Sequence, residues 1–541
     1  MAKPNPLNTS GFNSKSNIFH SLRLPFPLPP SNSPISITDH IFSLIQTSPT
    51  TTAIINATTG HRLSYSELFH QIETLAISLQ SQFDLRKGDT ALILSHNCSN
   101  IPILYFSLLI LGVVISPSNP SSTKSELSRQ IHLSKPVIVF AKSDTLYKIL
   151  SFGIRYTVVL DSEEFYSLKT IQRGELKRVE VRQSDVAAIL YSSGTTGMIK
   201  GVMLTHGNLT AMVTGFHLGM KKREFPAVVL LTVPYFHVYG FNFCLKSVAM
   251  GETVVVMERF ELGRMMKALE EYRVTHLAVA PPVVVAMLKS DCMKEGYDLR
   301  YLENVVCSGA PLKKEAIHKF KKRFSNVVVS QAYGLTETTG GVFRTAGPEE
   351  SSRLGANGRL IANCEAKIVD PDTGIALSPG YLGELWIRGP TTMKGYVGDE
   401  EASSIIMTSD GWLRTGDLCY IDNDGYLFVA DRIKELIKYK GYQVAPAELE
   451  QLLQSHPQII DAAVVPHPDD EAGQIPIAFV VKHSESCLSE AQVMKFVSQQ
   501  VAPYKKIRQV EFIDSIPKNA QGKILRKNLV ALTVSNLSAK L

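Results

Sequence analysis

The chain has 541 residues, of which 44% are apolar and 20% charged, so it is long enough for two or more domains with buried cores. Its net charge of +6 is spread along the chain without a long basic run, which excludes nucleic acid as an expected partner. Seven scattered cysteines with no Cys-x-x-Cys spacing argue against a disulfide framework or a zinc site and indicate a reducing compartment.

The N-terminal third begins with a segment that lacks a regular pattern. Residues 1–36 are rich in Ser, Asn and Pro and have no continuous apolar core, so they predict a flexible segment without a secretory signal. Ser64 and Glu67 form a capping-box pattern that predicts a helix to about Leu79. The apolar stretch 101–115 is shorter than the roughly 20 residues of a membrane span, and it predicts a buried helix leading into a strand.

Strand and helix patterns alternate through the following part of the chain. The predicted strands are 89–95, 137–141, 156–160, 186–190 and 275–280, and residues 262–272 have the period of a helix. This alternation predicts α/β layers. Residues 364–387 change to strands punctuated by Gly and Pro, which predicts a β-rich subdomain.

The pattern of the last 110 residues predicts a separate small α+β unit. Its predicted elements are helix 445–453, strands 460–465 and 477–481, and helix 490–500. Pro446 and Glu448 suit the first turn of a helix. We place the domain boundary at Asp431, after the strand-like run 425–430.

A Ser/Thr/Gly-rich loop follows the apolar run 186–190. Residues 191–201 read Tyr-Ser-Ser-Gly-Thr-Thr-Gly-Met-Ile-Lys-Gly. Glycines let backbone N–H groups turn inward, hydroxyls add short donors, and Lys200 brings a positive charge to a polyphosphate. The Walker pattern occurs nowhere in the chain, so another ATP-binding fold is expected. The alternative interpretation is an ordinary Ser/Gly surface turn.

Further segments follow this loop in a fixed order. They are Pro234-Tyr-Phe-His-Val-Tyr-Gly240, Ser308-Gly-Ala-Pro-Leu312, Gln331-Ala-Tyr-Gly-Leu-Thr-Glu337, Gly411-Trp-Leu-Arg-Thr-Gly-Asp417, residues 431–450 and Gly522-Lys-Ile-Leu-Arg526. Together they resemble the motifs of adenylate-forming enzymes, the family of acyl-CoA synthetases, luciferases and peptide-synthetase adenylation domains. Residues 431–450 are most similar to 4-coumarate:CoA ligases and their plant ligase-like relatives.

The resemblance covers about residue 37 to the C-terminus and implies the adenylate-forming fold. Residues 1–36 are then a flexible segment, 37–430 a large adenylation domain of α/β layers with a β-rich subdomain, and 431–541 a small mobile α+β domain. In the family this small domain rotates between two half-reactions about the position of Asp431. A carboxylate first attacks the α-phosphate of ATP, and a coenzyme A thiol then displaces AMP.

The resemblance also implies roles for individual residues. The ATP/AMP set is Ser192, Ser193, Gly194, Thr195, Thr196, Lys200, Gln331, Ala332, Tyr333, Thr336, Asp417, Arg432, Lys434, Lys438 and Lys523. Glu337 is expected to hold Mg²⁺, and Arg259, Lys440 and Gly441 to contact coenzyme A. The catalytic set is His237, Lys438, Gln443 and Lys523, and the substrate set is Tyr239, Phe243, Ala310, Gly340 and Gly341.

Several of these assignments compete with plainer interpretations. Lys434, Lys438 and Lys440 also fit a solvated face. Lys523 also fits an exposed basic tail, and Glu337 also fits a solvated acid in a loop. His237 also fits a buried core histidine, and by resemblance its ring closes the carboxylate site without acting as a base.

The substrate segments depart from hydroxycinnamate ligases. Residues 239–243 read Tyr-Gly-Phe-Asn-Phe, and residues 338–342 read Thr-Thr-Gly-Gly-Val. We expect Phe243 to fill a side wall, and Gly340 and Gly341 to open the pocket floor to a longer acid. The first hypothesis is a CoA ligase acting on a fatty, oxylipin or hydroxycinnamate-like acid. The alternatives are a luciferase-like oxygenase and a non-catalytic relative.

The last three residues, Ala539-Lys540-Leu541, resemble the tripeptide that directs proteins into peroxisomes. We therefore expect a peroxisomal monomer that binds the import receptor, with the cytoplasm as the alternative location. The other expected partners are ATP, coenzyme A and a small carboxylic acid.

Overall fold

The computed structural model describes residues 9–192, 199–219, 223–289, 296–310, 312, 314–439, 442–469, 472–501, 503–519 and 522–538. The chain forms two compact units. The larger unit comprises Phe19–Ala366 and Ile387–Leu413, and the smaller unit comprises Met1–Ile18, Lys367–Trp386 and Arg414–Leu541. The predicted domain boundaries at 36 and 430 stay predictions.

Strands and helices alternate along most of the chain. The first strands are β1 Phe12–Asn13, β2 Ile18–His20, β3 Thr52–Asn56, β4 Arg62–Ser64, β5 Thr90–Leu94, β6 Val114–Ser118, β7 Ile138–Ala141, β8 Tyr156–Val159, β9 Val186–Ser192, β10 Lys200–Thr205, β11 Val228–Leu231, β12 Thr253–Val256, β13 His276–Val279 and β14 Asn304–Cys307. The later strands are β15 Val328–Leu335, β16 Gly340–Arg344, β17 Arg359–Leu360, β18 Glu365–Val369, β19 Gly383–Arg388, β20 Gly395–Tyr396, β21 Leu413–Ile421, β22 Leu427–Arg432, β23 Ile437–Tyr439, β24 Tyr442–Val444, β25 Ile459–Asp469, β26 Gly473–Lys482 and β27 Gln509–Phe512.

The helices lie between these strands in the pattern of an α/β protein. They are α1 Ile37–Leu44, α2 Tyr65–Phe83, α3 Asn100–Ile110, α4 Lys124–Ser134, α5 Glu163–Thr170, α6 His206–Gly219, α7 Val238–Ala249, α8 Leu262–Glu271, α9 Pro281–Lys289, α10 Lys314–Arg323, α11 Gly347–Ser351, α12 Glu400–Ile406, α13 Pro446–Ser455, α14 Glu490–Ser498 and α15 Arg526–Ser538.

The larger unit is built on two sheets. The first has nine strands in the order β17-β16-β15-β14-β13-β11-β12-β3-β4, and the central six run parallel. The second has seven strands in the order β20-β10-β9-β6-β5-β7-β8. Central parallel strands such as β5, β7 and β12 are short and rich in Val, Ile, Leu and Ala, and their residues are buried on both faces, as parallel sheets covered by helices require.

Two further sheets complete the fold. A six-stranded sheet has the order β1-β2-β18-β19-β21-β22. A five-stranded sheet in the smaller unit has the order β24-β23-β26-β25, with β27 paired to β26. The five-stranded sheet packs α13 and α14 through an apolar cluster that includes Ile437, Leu449, Leu453 and Val493.

Local sequence signals locate several elements correctly. Ser64 caps α2 with the full capping box, since its side chain accepts from the Glu67 N–H and the Glu67 carboxylate accepts from the Ser64 N–H. The apolar stretch 101–115 is the buried helix α3 followed by β6, as predicted. No helix in the described ranges is both long and apolar enough to cross a bilayer.

The N-terminal segment corrects the expectation of flexibility for its described part, residues 9–36. β1 and β2 lie in the six-stranded sheet, where Phe19 pairs with Ala366. The side chains of Phe12 and Phe19 are buried, the latter to 2% exposure. Burial of two aromatic side chains outweighs the loop-like composition around them.

His206, at the start of α6, makes folding sensitive to acid. The residue is fully buried, its Nδ1 accepts a hydrogen bond from the Ile37 N–H, and burial lowers its pKa to about 4, with smaller opposing effects from Asp185 and Lys87. The folded state thus holds His206 neutral, while the unfolded chain takes up a proton below its ordinary pKa of 6.5. Stability that is present above pH 6.5 is therefore lost as the pH falls toward 4.

We predict that His206→Asn reduces this acid sensitivity, because the Asn amide oxygen can accept the Ile37 N–H but cannot take up a proton. The His206 contribution to the wild-type loss between pH 7 and pH 5 is about 2 kcal/mol of unfolding free energy. Urea unfolding at both pH values measures the loss for the two proteins. An equal loss in both would contradict the assignment.

Candidate active site

Three of the predicted motifs lie at one edge of the nine-stranded sheet. β11, β13, β14 and β15 are parallel neighbours, so their carboxyl ends meet at the same edge. The histidine segment follows β11, the Ser308 turn follows β14, and Thr336 and Glu337 follow β15. The carboxyl edge of a parallel sheet is the usual ligand site of open α/β folds.

Two of these motifs are joined by a hydrogen bond. The Ser308 hydroxyl donates to the Ala332 carbonyl at 2.9 Å, which holds the Ser308 turn beside Tyr333. Tyr333 is buried and its ring contacts Phe343 edge to face. The Gln331 amide instead donates to the Ala356 carbonyl, so in this structure it holds a neighbouring loop.

Glu337 connects three segments of the larger unit. Its Oε1 accepts hydrogen bonds from the Ser192 hydroxyl at 2.9 Å and from the Tyr396 hydroxyl at 3.0 Å. The Lys200 ammonium lies 4.6 Å from the centre of the Tyr396 ring. Ser192 and Lys200 are register partners in β9 and β10, so they close the base of the predicted phosphate loop. The loop residues Ser193, Gly194, Thr195 and Thr196 lie outside the described residues.

Tyr396 was not predicted from the sequence. It reaches Glu337 because β20 pairs with β10 through Tyr396 and Val202, an antiparallel contact that no local pattern reveals. Burial, and then the Glu337 charge, raise the pKa of the Tyr396 phenol well above its usual range. The phenol therefore stays protonated and donates to the carboxylate.

The environment of Glu337 suits a magnesium ligand. Among the described residues its Oε2 receives no hydrogen bond, so one carboxylate oxygen is available while the other is held. Mg²⁺ is commonly bound by one or two carboxylates together with substrate phosphate oxygens. The residues present fit this ion.

His237 is the N-cap of α7. Its Nδ1 accepts a hydrogen bond from the Tyr239 N–H at 3.3 Å. Burial lowers the pKa of His237 to about 4, so the ring is neutral near pH 7.

The predicted substrate residues have more varied positions. Tyr239 and Phe243 lie edge to face on α7, and the Tyr239 hydroxyl donates to the Val306 carbonyl at 2.8 Å. Ala310 is half-buried in the Ser308 turn. The ring contact and the hydrogen bond therefore hold both rings in defined positions on α7.

Gly340 corrects the expectation that both glycines open the pocket floor. The Asn242 amide donates to the Thr339 carbonyl, and a Cβ on Gly340 would lie 2.3 Å from the Asn242 Nδ2. Gly340 also has a φ of +92°, which disfavours other residues. Its missing side chain makes room for Asn242, whereas a Cβ on Gly341 would meet the Ala332 Cβ at an ordinary 3.5 Å.

Gly341 lines a cavity of about 540 Å³ inside the larger unit, which we call the Arg344 cavity. Its walls come from residues 22–27, the last turns of α6, strand β16 and residues 390–391. Of the five residues predicted to bind substrate, Gly341 is the one that lines it. The volume lies within the usual range for a small-molecule site.

A second cluster of predicted residues lies in the smaller unit. Asp417 and Arg432 are register partners in β21 and β22, and the Arg432 Nε lies 3.2 Å from the Asp417 Oδ1. Asp417 is 4% exposed. Burial and then repulsion from Arg432 lower the pKa of Lys523, and the same two causes, followed by repulsion from Lys523, lower the pKa of Lys434 to about 8. A bound anion would offset both causes, because it favours the charged form of each lysine.

The remaining predicted residues are more dispersed. The Asp431 carboxylate accepts hydrogen bonds from the backbone N–H groups of Arg432 and Ala447. Ala447 lies in the first turn of α13. Lys438 is exposed and pairs with Gln443 between β23 and β24. Arg259 is exposed and lies 3.4 Å from Asp144. Lys440 and Gly441 lie outside the described residues.

Comparison with known proteins identifies the family. The family model described as AMP-binding enzyme matches residues 43–397, and the model of the AMP-binding enzyme C-terminal domain matches residues 448–523. The chain belongs to the AMP-binding enzyme family. The predicted family and its α/β fold with a small C-terminal domain are confirmed.

Relatives within the AMP-binding family are CoA ligases by name. The chain is 47% identical to the 4-coumarate–CoA ligase-like 9 of Arabidopsis thaliana, over 98% of both chains. It is 46% identical to the peroxisomal OPC-8:0-CoA ligase 1 of the same plant, over 97% of this chain and 98% of the relative. These relatives confirm the predicted class, an acid–thiol ligase of the acyl-CoA synthetase type.

Solved structures of the AMP-binding family have the same fold. The o-succinylbenzoate CoA synthetase of Bacillus subtilis, in complex with its acyl-adenylate intermediate, matches with a TM-score of 0.80 and 28% identity, over 93% of this chain and 98% of that chain. ATP-bound MatB from Rhodopseudomonas palustris matches with a TM-score of 0.84 and 26% identity, over 92% and 99%.

We predict that Tyr396→Phe lowers kcat/KM for ATP by about 10-fold or more at limiting Mg²⁺, because it removes one hydrogen bond to a charged carboxylate. The ring that faces Lys200 is kept. Steady-state kinetics at graded Mg²⁺ concentrations measure the effect. Tyr105→Phe is the matched control, since the buried Tyr105 hydroxyl donates to the Tyr235 carbonyl instead. ATP kinetics equal to wild type in Tyr396→Phe would refute the role.

Proposed function

We propose that this enzyme converts an aliphatic acid of the fatty or oxylipin type to its CoA thioester through an acyl-adenylate, using ATP and Mg²⁺. The observation that carries the proposal is the cluster in the smaller unit, where the buried Asp417 carboxylate is paired with Arg432, and Arg432 in turn repels Lys434 and Lys523. A carboxylate suits ribose hydroxyls, and the surplus cations suit a phosphate.

The first step joins two anions, and the proposed residues counter their repulsion. The acid carboxylate attacks the α-phosphorus, the acyl–phosphate bond forms, and pyrophosphate leaves. In the larger unit, Lys200 and the Ser192 to Thr196 loop hold the β- and γ-phosphates, and Thr336 contacts the α-phosphate. Mg²⁺ bound at Glu337 supplies further charge neutralisation. In the smaller unit, Asp417 and Arg432 hold the ribose, and Lys523 neutralises the α-phosphate and the attacking oxygen.

The second step transfers the acyl group to coenzyme A. The thiol sulfur loses its proton and attacks the carbonyl carbon of the adenylate. The bond between that carbon and the bridging oxygen breaks, and AMP leaves with its phosphorus–oxygen bonds intact. We assign Lys438 and Gln443 to this step, with Lys440, Gly441 and Arg259 along the coenzyme A path. The neutral His237 at the N-cap of α7 acts as a wall of the carboxylate site and not as a base.

An aliphatic substrate is supported by the larger unit. Tyr239 and Phe243 fix an aromatic wall on α7, while Gly341 opens β16 toward the Arg344 cavity. Apolar side chains dominate the wall of this cavity, which suits a methylene chain better than a hydroxylated ring. One relative carries an OPC-8:0 substrate in its name.

We also propose that the enzyme enters peroxisomes through Ala539-Lys540-Leu541, which lie outside the described residues. The peroxisomal relative supports this location. A fluorescent fusion lacking Leu541 should remain in the cytoplasm, and its import would overturn the assignment.

The experiment that tests the function measures AMP and acyl-CoA release with ATP, Mg²⁺ and coenzyme A across hydroxycinnamates, benzoates and fatty acids of graded length. We expect thioester from medium or long aliphatic acids at a kcat/KM at least about 10-fold above that for coumarate, since each buried methylene adds roughly 0.8 kcal/mol. A preference for coumarate would overturn the aliphatic assignment, and release of AMP without thioester would overturn the ligase assignment.

We predict that Lys523 and Lys438 act in different half-reactions. Lys523→Ala should reduce adenylate formation by about 100-fold or more, as loss of a charged donor to the transition state does, and leave thioester formation from supplied acyl-adenylate largely intact. Lys438→Ala should instead reduce thioester formation from supplied acyl-adenylate and leave adenylate formation largely intact. Lys518→Ala is the control, because the Lys518 ammonium is already paired with the Asp461 carboxylate. Equal losses in both half-reactions for both variants would contradict separate roles.

A further inference from the structure

The Arg344 cavity is apolar along most of its wall but strongly cationic at one part. Its apolar lining includes Leu22, Leu24, Phe26, Met212, Phe216 and Ile361. The charged lining residues are Arg23, Arg344, Arg359 and Glu350, three cations against one carboxylate. A mostly apolar cavity with an excess of guanidinium groups suits an amphipathic ligand.

The single carboxylate is already shared between two of the arginines. The Arg23 Nη2 donates to the Glu350 Oε2 at 2.8 Å, and the Arg359 Nη1 lies 3.9 Å from the Glu350 Oε1. Glu350 also accepts from the Ala346 N–H. One carboxylate charge cannot neutralise three guanidinium charges, so the charged part of the cavity keeps an excess of positive charge.

Arg344 is the least compensated of the three. It donates one hydrogen bond in the described structure, from Nη2 to the Gly215 carbonyl at 3.0 Å, and its guanidinium stacks 4.2 Å above the Phe216 ring. A guanidinium has five N–H donors, so most of its capacity is unused. Burial and then repulsion from Arg23 lower the pKa of Arg344 to about 10, against a smaller opposing effect of Glu350.

A second donor at the cavity also lacks an acceptor. The Nε–H of Arg23 is buried, and no acceptor for it exists among the described residues. Unsatisfied buried donors are uncommon, and each calls for a partner such as water or a ligand. Arg23 and Arg344 are adjacent, since the Arg23 Nη2 donates to the Arg344 carbonyl at 2.8 Å.

Two residues that line the cavity lie close in sequence to Glu337. Thr339 and Gly341 line it, and they follow Glu337 directly on the path into β16. The four-residue rise of β16 places Arg344 about 14 Å beyond Gly340. A chain that starts near Glu337 and follows this strand therefore ends at the arginines.

We propose that the Arg344 cavity selects acids whose chain carries an oxygen acceptor at its far end, with a terminal carboxylate bound most tightly. The proposal rests on the ligase function given above and names its substrate class. Arg344 and Arg23 donate to the distal oxygen, while the apolar wall covers the methylene chain. A methyl-ended chain leaves these donors unpaired, and sites that hydrogen-bond a substrate group reject analogues that lack it.

The test compares acids of one length that differ only at the far end. They are dodecanoic acid, ω-hydroxydodecanoic acid, the analogue with a keto group next to the terminal methyl, and dodecanedioic acid. We expect kcat/KM for thioester formation to rise about 10- to 100-fold from the methyl-ended acid to the diacid, the range that a hydrogen bond to a charged group supports. The hydroxy and keto acids should fall between them. A wild-type preference for dodecanoic acid would overturn the proposal.

Three variants separate recognition by Arg344 from general damage. Arg344→Met should abolish the preference for the diacid and leave kcat/KM for dodecanoic acid within about threefold. Gly219→Ala should weaken the preference, because its Cβ would lie 2.9 Å from the Arg344 Nη2. Arg388→Met is the matched control, since Arg388 also stacks on an aromatic ring and pairs with a carboxylate but does not line the cavity. Its preference should equal that of wild type.

Equilibrium binding keeps this proposal distinct from the ligase assignment. Isothermal titration of wild type and Arg344→Met with dodecanedioic acid should show tighter binding to wild type by about 10-fold or more. If no acid yields thioester while this difference persists, the ligase function fails and the anion-recognising cavity stands. Equal binding to both proteins would overturn the cavity proposal regardless of turnover.

Discussion

The Glu337 carboxylate is the contact on which the candidate active site depends. One of its oxygens accepts hydrogen bonds from Ser192, at the end of β9, and from Tyr396, in β20. These residues belong to the seven-stranded sheet, whereas Glu337 follows β15 of the nine-stranded sheet. A charged hydrogen bond at a buried junction is worth more than a neutral one. This junction therefore joins the end of β9 and strand β20 to the segment that follows β15.

The chemistry of the smaller unit depends on a different balance. Asp417 and Arg432 form an ion pair, and the pKa values of Lys434 and Lys523 are lowered by burial and then by repulsion from Arg432. Arg526, in contrast, forms ion pairs with Glu450 and Glu435, and its pKa is raised. A bound anion would stabilise the charged forms of the two lysines, whereas Arg526 is already paired with carboxylates.

The Arg344 cavity also has an excess of positive charge, at the place where we propose that the far end of the acid substrate binds. Its walls are assembled from an N-terminal segment, a helix end and a strand that are distant in sequence. Gly219 leaves the space that Arg344 occupies, and Gly215 supplies the carbonyl that orients the guanidinium. The negative end of the α6 dipole favours a cation at this place. Recognition of the distal end is therefore a property of packing and not of any motif.

Local patterns in the sequence were enough to predict the family, the α/β architecture, the capping box of α2 and the motif residues, because each depends on short-range spacing or on groups that meet the same substrate atoms. Contacts between distant segments were needed to establish that β1 and β2 join a sheet, that Gly340 makes room for Asn242, and that Tyr396 holds Glu337. Strand pairing and helix packing join residues tens to hundreds of positions apart. Their contacts follow from the burial of apolar surface across the whole fold, which no local pattern encodes.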